Sequence, residues 1–183
     1  MKTDKIAVVT GAAGFIGSHM VDVLLHNGYC VHAIDNLSGG RLDNLGHHKA
    51  DPNLIVEVED LMDLRPDSEL FQGAEYVFHF AGIGDIVPSI KWPTDYLSTN
   101  VMGTVHVLEA ARRANVRKFV YAASSSCYGI TTELPTTEDA EIDPQYPYAL
   151  SKYLGEQAVM HWGKVYGLPV ISVRIFNAYG PRS

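Results

Sequence analysis

A tyrosine and a lysine, Tyr148 and Lys152, have the spacing of a proton-transfer pair. Residues four apart on a helix share a face, with Cβ atoms about 6 Å apart. A phenol ordinarily titrates at roughly pH 10, and a neighbouring ammonium favours the phenolate form. Such a pair could act as a general base that removes a proton from a hydroxyl group. With 10 tyrosines in the chain a chance match is common, so an exposed helix pair is the alternative interpretation.

Serine hydroxyls at the end of a predicted strand favour the catalytic interpretation. The apolar run 118–122 leads into the segment SSSCYG at 124–129. In a doubly wound sheet, ligands bind at the carboxyl ends of the strands. A serine at that position could donate a hydrogen bond to a reacting oxygen, beside Tyr148 and Lys152.

A glycine-rich turn, TGAAGFIG at 10–17, follows the first apolar run and opens a predicted helix. Gly11 permits a tight turn, Gly14 lets backbone amides approach an anion, and Gly17 lets the helix pack closely on the strand. The start of the helix then offers N–H groups and positive partial charge to a pyrophosphate. Three glycines alone are weak evidence, but the strand–turn–helix context makes the signal strong.

Asp35 ends the second predicted strand, 18 residues after Gly17. A carboxylate at this point of a dinucleotide-binding unit accepts hydrogen bonds from the adenosine ribose hydroxyls. Its negative charge would repel the 2′-phosphate of NADP, so the sequence favours NAD. Arg41 is the feature that would suit NADP, and a simple turn-capping role is the alternative for Asp35.

Apolar runs that alternate with amphipathic stretches predict the elements that position these residues. Strands are predicted at 5–10, 30–34, 54–58, 76–79, 118–122 and 170–176, and helices at 15–26, 100–114 and 147–166. Pro147 suits the first turn of the last helix, and Gly167 suits its C-terminal cap. Repeated strand–helix–strand units predict a parallel sheet covered on both faces, which is the α/β doubly wound Rossmann fold. The segment 134–147 is predicted to be a polar surface loop.

The composition fits one globular domain, with 46% hydrophobic and 19% charged residues among 183. The net charge of -7 argues against binding to nucleic acid or to an anionic membrane. No apolar run reaches the roughly 18 residues of a membrane helix, and no secretory signal is evident. Cys30 and Cys127 are the only cysteines, which favours reduced thiols and a cytoplasmic protein.

Two adjacent histidines, His47 and His48, are the remaining candidates for metal chemistry. They lie in a polar stretch after a predicted turn, and the sequence shows no further ligand cluster near them. Neither a CxxC nor an HExxH motif occurs in the sequence. The sequence therefore favours an exposed loop for this pair and predicts no metal site.

Across its whole length the chain resembles the first part of extended short-chain dehydrogenases, specifically the NAD-dependent epimerase/dehydratase family. The matching stretches follow the family's order and spacing: TGAAGFIG, DNLSGGRLDNL, HFAG, STNVMGT, SSSCYG, YALSK and RIFNAYGP. The subgroup that it resembles most is the UDP-sugar 4-epimerases. The resemblance implies NAD as cofactor, a nucleotide-diphosphate sugar as substrate, and a homodimer that pairs through the helices 100–114 and 147–166.

The resemblance also implies roles for individual residues. In the subgroup the catalytic hydroxyl lies four residues before the Tyr-Gly pair, which makes it Ser124, acting with Tyr148 and Lys152. Asn100 should position the catalytic elements, and Asn177 should contact the substrate together with Ser124 and Tyr148. The implied cofactor-binding residues are Gly11, Gly14, Phe15, Ile16, Gly17, Asp35, Asn36, Ser38, Asp60, Leu61, Phe80, Ala81, Gly82, Asn100, Tyr148 and Lys152. From the residues alone, Leu61 and Phe80 are explained equally well as core packing.

Residues next to the catalytic serine separate the chemistries within the resembling family. Dehydratases and decarboxylating relatives place an acidic residue directly after the catalytic Thr or Ser, whereas this chain has Ser125 and Ser126. Elimination is therefore disfavoured and reversible oxidation–reduction is favoured. Cys127 lies three residues after Ser124, not two as in relatives with a catalytic cysteine, so it is interpreted as a buried small apolar residue.

Family members are usually nearly twice this length, so the resemblance implies that 1–183 is a dinucleotide-binding domain truncated before the substrate domain. Three functions stay open at this point. They are a 4-epimerase that oxidises its substrate transiently to a 4-keto sugar, a nucleotide-sugar reductase or dehydrogenase, and a non-catalytic dinucleotide-sensing module. The complete set of Ser124, Tyr148 and Lys152 favours the epimerase.

Overall fold

A six-stranded parallel sheet forms the centre of the computed structural model, which describes residues 5–131 and 134–183. Its strands are β1 Ile6–Thr10, β2 Cys30–Ile34, β3 Leu54–Glu57, β4 Ala74–His79, β5 Lys118–Ser124 and β6 Val170–Ile175. They lie in the order β3-β2-β1-β4-β5-β6, and each neighbouring pair is parallel. This is the strand order of the doubly wound dinucleotide-binding fold, so the predicted architecture is confirmed.

Helices cover both faces of the sheet. The side chains of each buried strand therefore alternate between two hydrophobic cores, one on each face. The helices are α1 Phe15–His26, α2 Ile86–Lys91, α3 Pro93–Leu97, α4 Thr104–Arg113 and α5 Pro147–Tyr166. On one face, Val9 of β1 packs in a cluster with Val21 of α1. On the other face, Val8 belongs to a cluster that contains Leu108 of α4 and Val159 of α5. The near-continuous apolar strands of the sequence are thus buried on both sides.

The predicted elements are found with shifts of a few residues at their ends. The largest difference between prediction and structure concerns the predicted helix 100–114. A π-helical turn occupies Ser98–Gly103, and α4 begins only at Thr104. The short helices α2 and α3 were not predicted, and prolines at 88 and 93 obscure their pattern. Strand β5 extends to Ser124, two residues beyond its predicted end, so this serine is the last residue of the strand.

Helix α5 begins and ends at the residues that its sequence predicts. Pro147 occupies the first turn, and Gly167 closes the helix in the left-handed conformation at φ +69°. The buried carboxylate of Glu156 accepts hydrogen bonds from Arg174 Nε at 3.0 Å and from Ser172 Oγ at 2.9 Å, which ties α5 to β6. The part of segment 134–147 that precedes α5 contains neither helix nor strand, as predicted. Among the described residues no helix is both long and apolar enough to cross a membrane.

Candidate cofactor and active site

The glycine-rich turn between β1 and α1 is packed so closely that side chains would not fit. A Cβ at Gly17 would lie 2.0 Å from the carbonyl oxygen of Gly11, and one at Gly11 would lie 2.6 Å from the backbone nitrogen of Ala81. Gly11 also has φ +66°, which favours glycine. Gly14 stands at the N-cap of α1, and no side chain caps the first amides of the helix, which is the arrangement that an anion-binding helix start needs. Phe15 and Ile16 form the first turn.

The carboxylate of Asp35 accepts backbone hydrogen bonds from two loops beside the predicted adenosine site. Its Oδ2 accepts a hydrogen bond from the Ala13 backbone N–H at 2.9 Å, and its Oδ1 accepts one from the Leu37 N–H at 2.8 Å. An ionised carboxylate has roughly four lone-pair sites, so each oxygen keeps capacity for a ribose hydroxyl. The carboxylate therefore has a turn-capping role, and that role is compatible with ribose binding.

The residues after Asp35 form a small hydrogen-bonded network with the loop after β3. The side-chain amide of Asn36 donates to Asp60 Oδ2 at 2.8 Å, and its Oδ1 accepts from Ser38 Oγ at 2.7 Å. Hydrogen bonds from the Met62 backbone and from Asn36 lower the pKa of Asp60, although its partial burial opposes them. Asn36, Ser38 and Asp60 thus surround the edge of the site where the resemblance places the adenosine.

The segment after β4 lies against the glycine turn, at the point where the strand order of the sheet reverses. Phe80 donates its backbone N–H to the carbonyl of Thr10 at 3.1 Å, and its ring stacks on Phe78 with centroids 6.5 Å apart. Leu61 is buried in the core, which is the packing role left open by the sequence. A Cβ at Gly82 would lie 2.8 Å from Asn100 Oδ1. Dinucleotides bind to doubly wound sheets where the strand order reverses, which is where these backbones meet.

Tyr148 and Ser124 are brought together as the sequence predicts. The phenol O–H of Tyr148 donates to Ser124 Oγ at 3.3 Å, which joins the first turn of α5 to the end of β5. Ser124 Oγ also accepts the backbone N–H of Ser126 at 3.2 Å. Both lone pairs of the serine oxygen are then engaged, so its hydroxyl proton can point to a third oxygen. The edge of the Tyr148 ring packs against Tyr96 at a centroid distance of 6.4 Å.

Lys152 lies one helical turn beyond Tyr148 and is 7% exposed. Its Nζ stands 4.6 Å from the centre of the Tyr121 ring, and the Tyr121 hydroxyl donates to the Lys152 carbonyl at 3.3 Å. Burial lowers the pKa of Lys152 to about 8, although the carboxylate of Glu156 partly offsets this effect. The ammonium is therefore held in a fixed place that is poorly hydrated and stacked on an aromatic face.

From the π-helical turn, the side chain of Asn100 connects two segments of the site. Its Oδ1 accepts the Ile83 backbone N–H at 2.8 Å, and its Nδ2 donates to Ser151 Oγ at 2.9 Å. The amide thereby connects the segment after β4 with the start of α5, between Tyr148 and Lys152. π-helical turns often occur at functional sites. The periodicity of the sequence gave no sign of this turn.

Other predicted residues fall in different surroundings. Asn177 is exposed two residues beyond Ile175, the residue of β6 that pairs in register with Ser124, so it lies at the same edge of the sheet. Cys127 is fully buried, and burial raises the pKa of its thiol, as expected for a small apolar residue. Tyr96, Tyr121 and Ser151 contact the proposed catalytic residues but were not predicted as site residues. No motif marks Tyr96 or Tyr121, whereas Ser151 lies within the YALSK stretch.

The model of the NAD dependent epimerase/dehydratase family matches residues 7–183. The UDP-glucose 4-epimerase of Mycolicibacterium smegmatis is 38% identical over 177 residues, which cover 96% of this chain and 56% of that protein. The structure of UDP-N-acetylglucosamine 4-epimerase from Methanobrevibacter ruminantium M1 superimposes with a TM-score of 0.92 at 36% identity. That match covers 100% of this chain and 57% of the other.

A solved dehydratase is similarly close in fold. The dTDP-glucose 4,6-dehydratase DesIV of Streptomyces venezuelae, whose structure has NAD bound, superimposes with a TM-score of 0.92 at 33% identity. The match covers 97% of this chain and 57% of the dehydratase. The chain thus spans little more than half the length of the relatives that it matches, and fold similarity alone does not separate epimerase from dehydratase.

Proposed function

Because the chain belongs to the NAD dependent epimerase/dehydratase family, we propose that it carries the cofactor site and the catalytic residues of a nucleotide-sugar 4-epimerase. The substrate class is UDP-glucose or UDP-N-acetylglucosamine. The observation that carries the proposal is the hydrogen bond of 3.3 Å from the Tyr148 hydroxyl to Ser124 Oγ, with Lys152 buried one turn further along the same helix.

Proton transfer is the task of this chain's own residues. In its phenolate form, the oxygen of Tyr148 takes the proton of the sugar 4-hydroxyl, and Ser124 donates a hydrogen bond to the same sugar oxygen. NAD, when bound, would supply a reversible hydride acceptor, so the overall reaction would involve no net oxidation. The transient 4-keto sugar presents its other face before reduction, and Tyr148 then gives the proton back to the new hydroxyl.

Lys152 favours the ionised phenol because a cation near an oxygen stabilises negative charge on that oxygen. Its stacking on Tyr121 and its buried position keep water from screening that charge. The carboxylate of Glu156, four residues further along α5, partly restores the charged form of the lysine. Lys152 is thus positioned to stabilise negative charge on the oxygen of Tyr148.

The residues that follow Ser124 favour epimerisation over dehydration. Ser125 and Ser126 begin a 3₁₀ turn, and neither can remove a second proton or expel water as a carboxylate can. Dehydratases of the family need such an acid directly after the catalytic hydroxyl. A site that transfers a proton at only one oxygen of the substrate is suited to reversible oxidation and reduction of the carbon that bears this oxygen.

The proposal extends to the partners of the whole protein. The substrate's diphosphate would lie near Asn177, at the same edge of the sheet as Ser124. A homodimer would pair through α4 and α5, where Leu150, Leu154 and Met160 are exposed apolar side chains. Trp162, in contrast, packs against the core and donates a hydrogen bond to Glu109 at 2.8 Å, so its contacts stabilise the monomer. The cytoplasmic location stays a prediction.

Product analysis tests this function directly. The whole protein is incubated with NAD and UDP-glucose or UDP-N-acetylglucosamine, and the nucleotide sugars are separated while absorbance reports NADH. Interconversion of the 4-epimers without accumulation of NADH is the expected result. One NADH per product would identify a dehydrogenase, and a 4-keto-6-deoxy sugar would identify a dehydratase; either result would overturn the proposal. Tight NAD binding with no conversion of either sugar would also contradict it, in favour of a sensing module.

A further inference from the structure

Three potential metal ligands from distant parts of the sequence converge beside α1, on the side of the chain away from the catalytic residues. Asp22 lies on α1, while His47 and His48 end the 3₁₀ turn Leu42–His48. The Nε2 atoms of the two histidines lie 2.8 Å and 2.9 Å from the same carboxylate oxygen, Asp22 Oδ1. The sequence favoured an exposed loop for this pair because it showed no third ligand, and the fold supplies one.

We propose that Asp22, His47 and His48 form a binding site for a Zn²⁺ ion. Imidazole nitrogen and carboxylate oxygen are the ligands of protein zinc sites, and three of them leave a fourth position for water. Tetrahedral coordination at ordinary zinc–ligand distances separates the donor atoms by about 3.3 Å. The two Nε2–Oδ1 separations need to widen by only about half an ångström for this geometry, and all ligand atoms of the cluster lie within 4.8 Å of one another.

The two histidines can make that adjustment. The side chain of His47 is 50% exposed, so its ring can rotate without disturbing the core. His48 is more enclosed, with a side-chain exposure of 21%, and it keeps the site in place. The cluster borders an open groove of about 580 Å³, to which His26 and Asp51 also contribute. The groove gives an ion access from solvent and has room for the water in the fourth position.

Arg182 orients the carboxylate ligand. Its guanidinium binds the second carboxylate oxygen, Asp22 Oδ2, and leaves Oδ1 directed at the histidines. The positive guanidinium beside Oδ2 favours the ionised carboxylate, which is the form that a metal binds. Ligating carboxylates commonly have such a hydrogen-bonded outer partner.

The bound ion would tie together segments that frame the adenosine side of the cofactor site. Asn44, in the same 3₁₀ turn as the histidines, donates its side-chain amide to the carbonyl of Ala13 at 2.8 Å. Arg182 Nη1 donates to the Asn44 carbonyl at 3.2 Å, which joins the segment after β6 to this turn. Zinc on Asp22 would thus fix the turn to α1, so its role is structural.

Titration of the metal-free, tag-free protein with ZnCl₂ in a calorimeter tests the proposal, and Co²⁺ absorbance in the visible range reports the geometry. The expected result is one ion per chain and a tetrahedral Co²⁺ spectrum. The substitutions His47→Ala and His48→Ala should each weaken binding more than about tenfold, since even loss of an outer partner costs about 10- to 100-fold. His26 lines the same groove but lies outside the cluster, so His26→Ala should leave the affinity for Zn²⁺ unchanged.

Two outcomes would overturn the proposal. The first is the absence of stoichiometric Zn²⁺ binding to the wild-type protein, which would make the cluster a purely hydrogen-bonded contact. The second is binding that persists in both His47→Ala and His48→Ala or is lost in His26→Ala, which would place the ion elsewhere. Because His47 is half exposed, its replacement should not unfold the chain, and circular dichroism of each variant checks this.

Discussion

The hydroxyl of Tyr148 and the Oγ of Ser124 lie 3.3 Å apart, although 24 residues separate them in sequence. One belongs to the first turn of α5 and the other is the last residue of β5. Their separation therefore depends on how firmly α5 is docked on β5 and β6. The ion pair between Arg174 and the buried Glu156 ties α5 to β6, and this supports the proposed proton-transfer pair, whose members lie on two different elements.

Replacement of Tyr148 by Phe should nearly abolish epimerisation and leave NAD binding almost intact. The ring and its contact with Tyr96 remain, but the oxygen that accepts the proton is lost. Lost general-base catalysis is worth roughly 100- to 10,000-fold in rate. Turnover of UDP-glucose or UDP-N-acetylglucosamine and calorimetric NAD affinity are measured for each variant. Near-normal turnover of Tyr148→Phe would show that another group is the base.

Replacement of Ser124 by Ala should cost less activity than replacement of Tyr148. The serine donates an assisting hydrogen bond and does not carry the proton, and a single oxyanion-type donor is worth up to about 100- to 1,000-fold. Ser125→Ala, at the next position, is the matched control and should retain turnover. A loss for Ser125→Ala equal to that for Ser124→Ala would contradict the assignment of the catalytic hydroxyl.

Local patterns predicted most of the fold, because each core strand and each long helix has its own periodicity. The glycine turn could be predicted as well, since tight packing at Gly11 and Gly17 restricts both positions to glycine. Contacts between distant segments could not be predicted. Asp22 meets His48 across 26 residues and Asn100 meets Ser151 across 51, and no local pattern encodes such pairings. The helices α2 and α3 were not predicted for a different reason, since they are too short to show a period and each contains a proline.

Gly17→Ala should disrupt cofactor binding and destabilise the fold. The new Cβ would lie 2.0 Å from the backbone oxygen of Gly11, so the start of α1 must move away from β1. Overpacking of this kind costs about 1–3 kcal/mol, and the phosphate-binding amides move with the helix. Gly46→Ala is the control, because a Cβ there meets nothing within 4 Å. Urea denaturation and NAD titration of both variants measure the effects, and equal NAD affinity in the two would contradict the steric argument.

NAD should bind more tightly than NADP by roughly tenfold or more, equivalent to ~1.4 kcal/mol. The carboxylate of Asp35 is fixed by the amides of Ala13 and Leu37, so it cannot swing away from a 2′-phosphate. Its charge therefore repels that group at close range. Calorimetric titration with both cofactors decides the question. Equal or tighter binding of NADP would refute the role of Asp35 and turn attention to Arg41.

Light scattering on the whole protein at micromolar concentration should show a homodimer. The exposed apolar side chains of Leu150 and Leu154 lie one turn apart on α5, and an interface there would remove them from water. Leu154→Asp should shift the population to monomer, because it places a charge within that interface. Val23→Asp, which changes an exposed residue of α1, should leave the dimer intact. A wild-type protein that is monomeric at every concentration would contradict this assembly.

The stability of the cofactor-free protein should rise between about pH 8 and pH 10 because of Lys152. Burial lowers the pKa of this lysine to about 8, whereas an unfolded lysine titrates at roughly 10.4. Below pH 8 the lysine is charged in both states, and the folded state bears the full cost of the buried charge. Above pH 8 the folded state loses its proton first, so the free energy of unfolding increases with pH. The difference of 2 to 3 pKa units limits the gain to about 3 kcal/mol.

Urea denaturation at several pH values, with Lys152→Met as the test variant, measures this contribution. Methionine fills a similar volume without a charge, so the rise in stability above pH 8 should largely disappear. Lys164→Met removes an exposed lysine from the same helix and should preserve the rise. The series should stay below roughly pH 10, because burial raises the pKa of Tyr121 and ionisation of that tyrosine in the unfolded chain opposes folding above this point. If Lys152→Met kept the full pH dependence, the buried ammonium would not be its source, and the charge assigned to Lys152 at the active site would need revision.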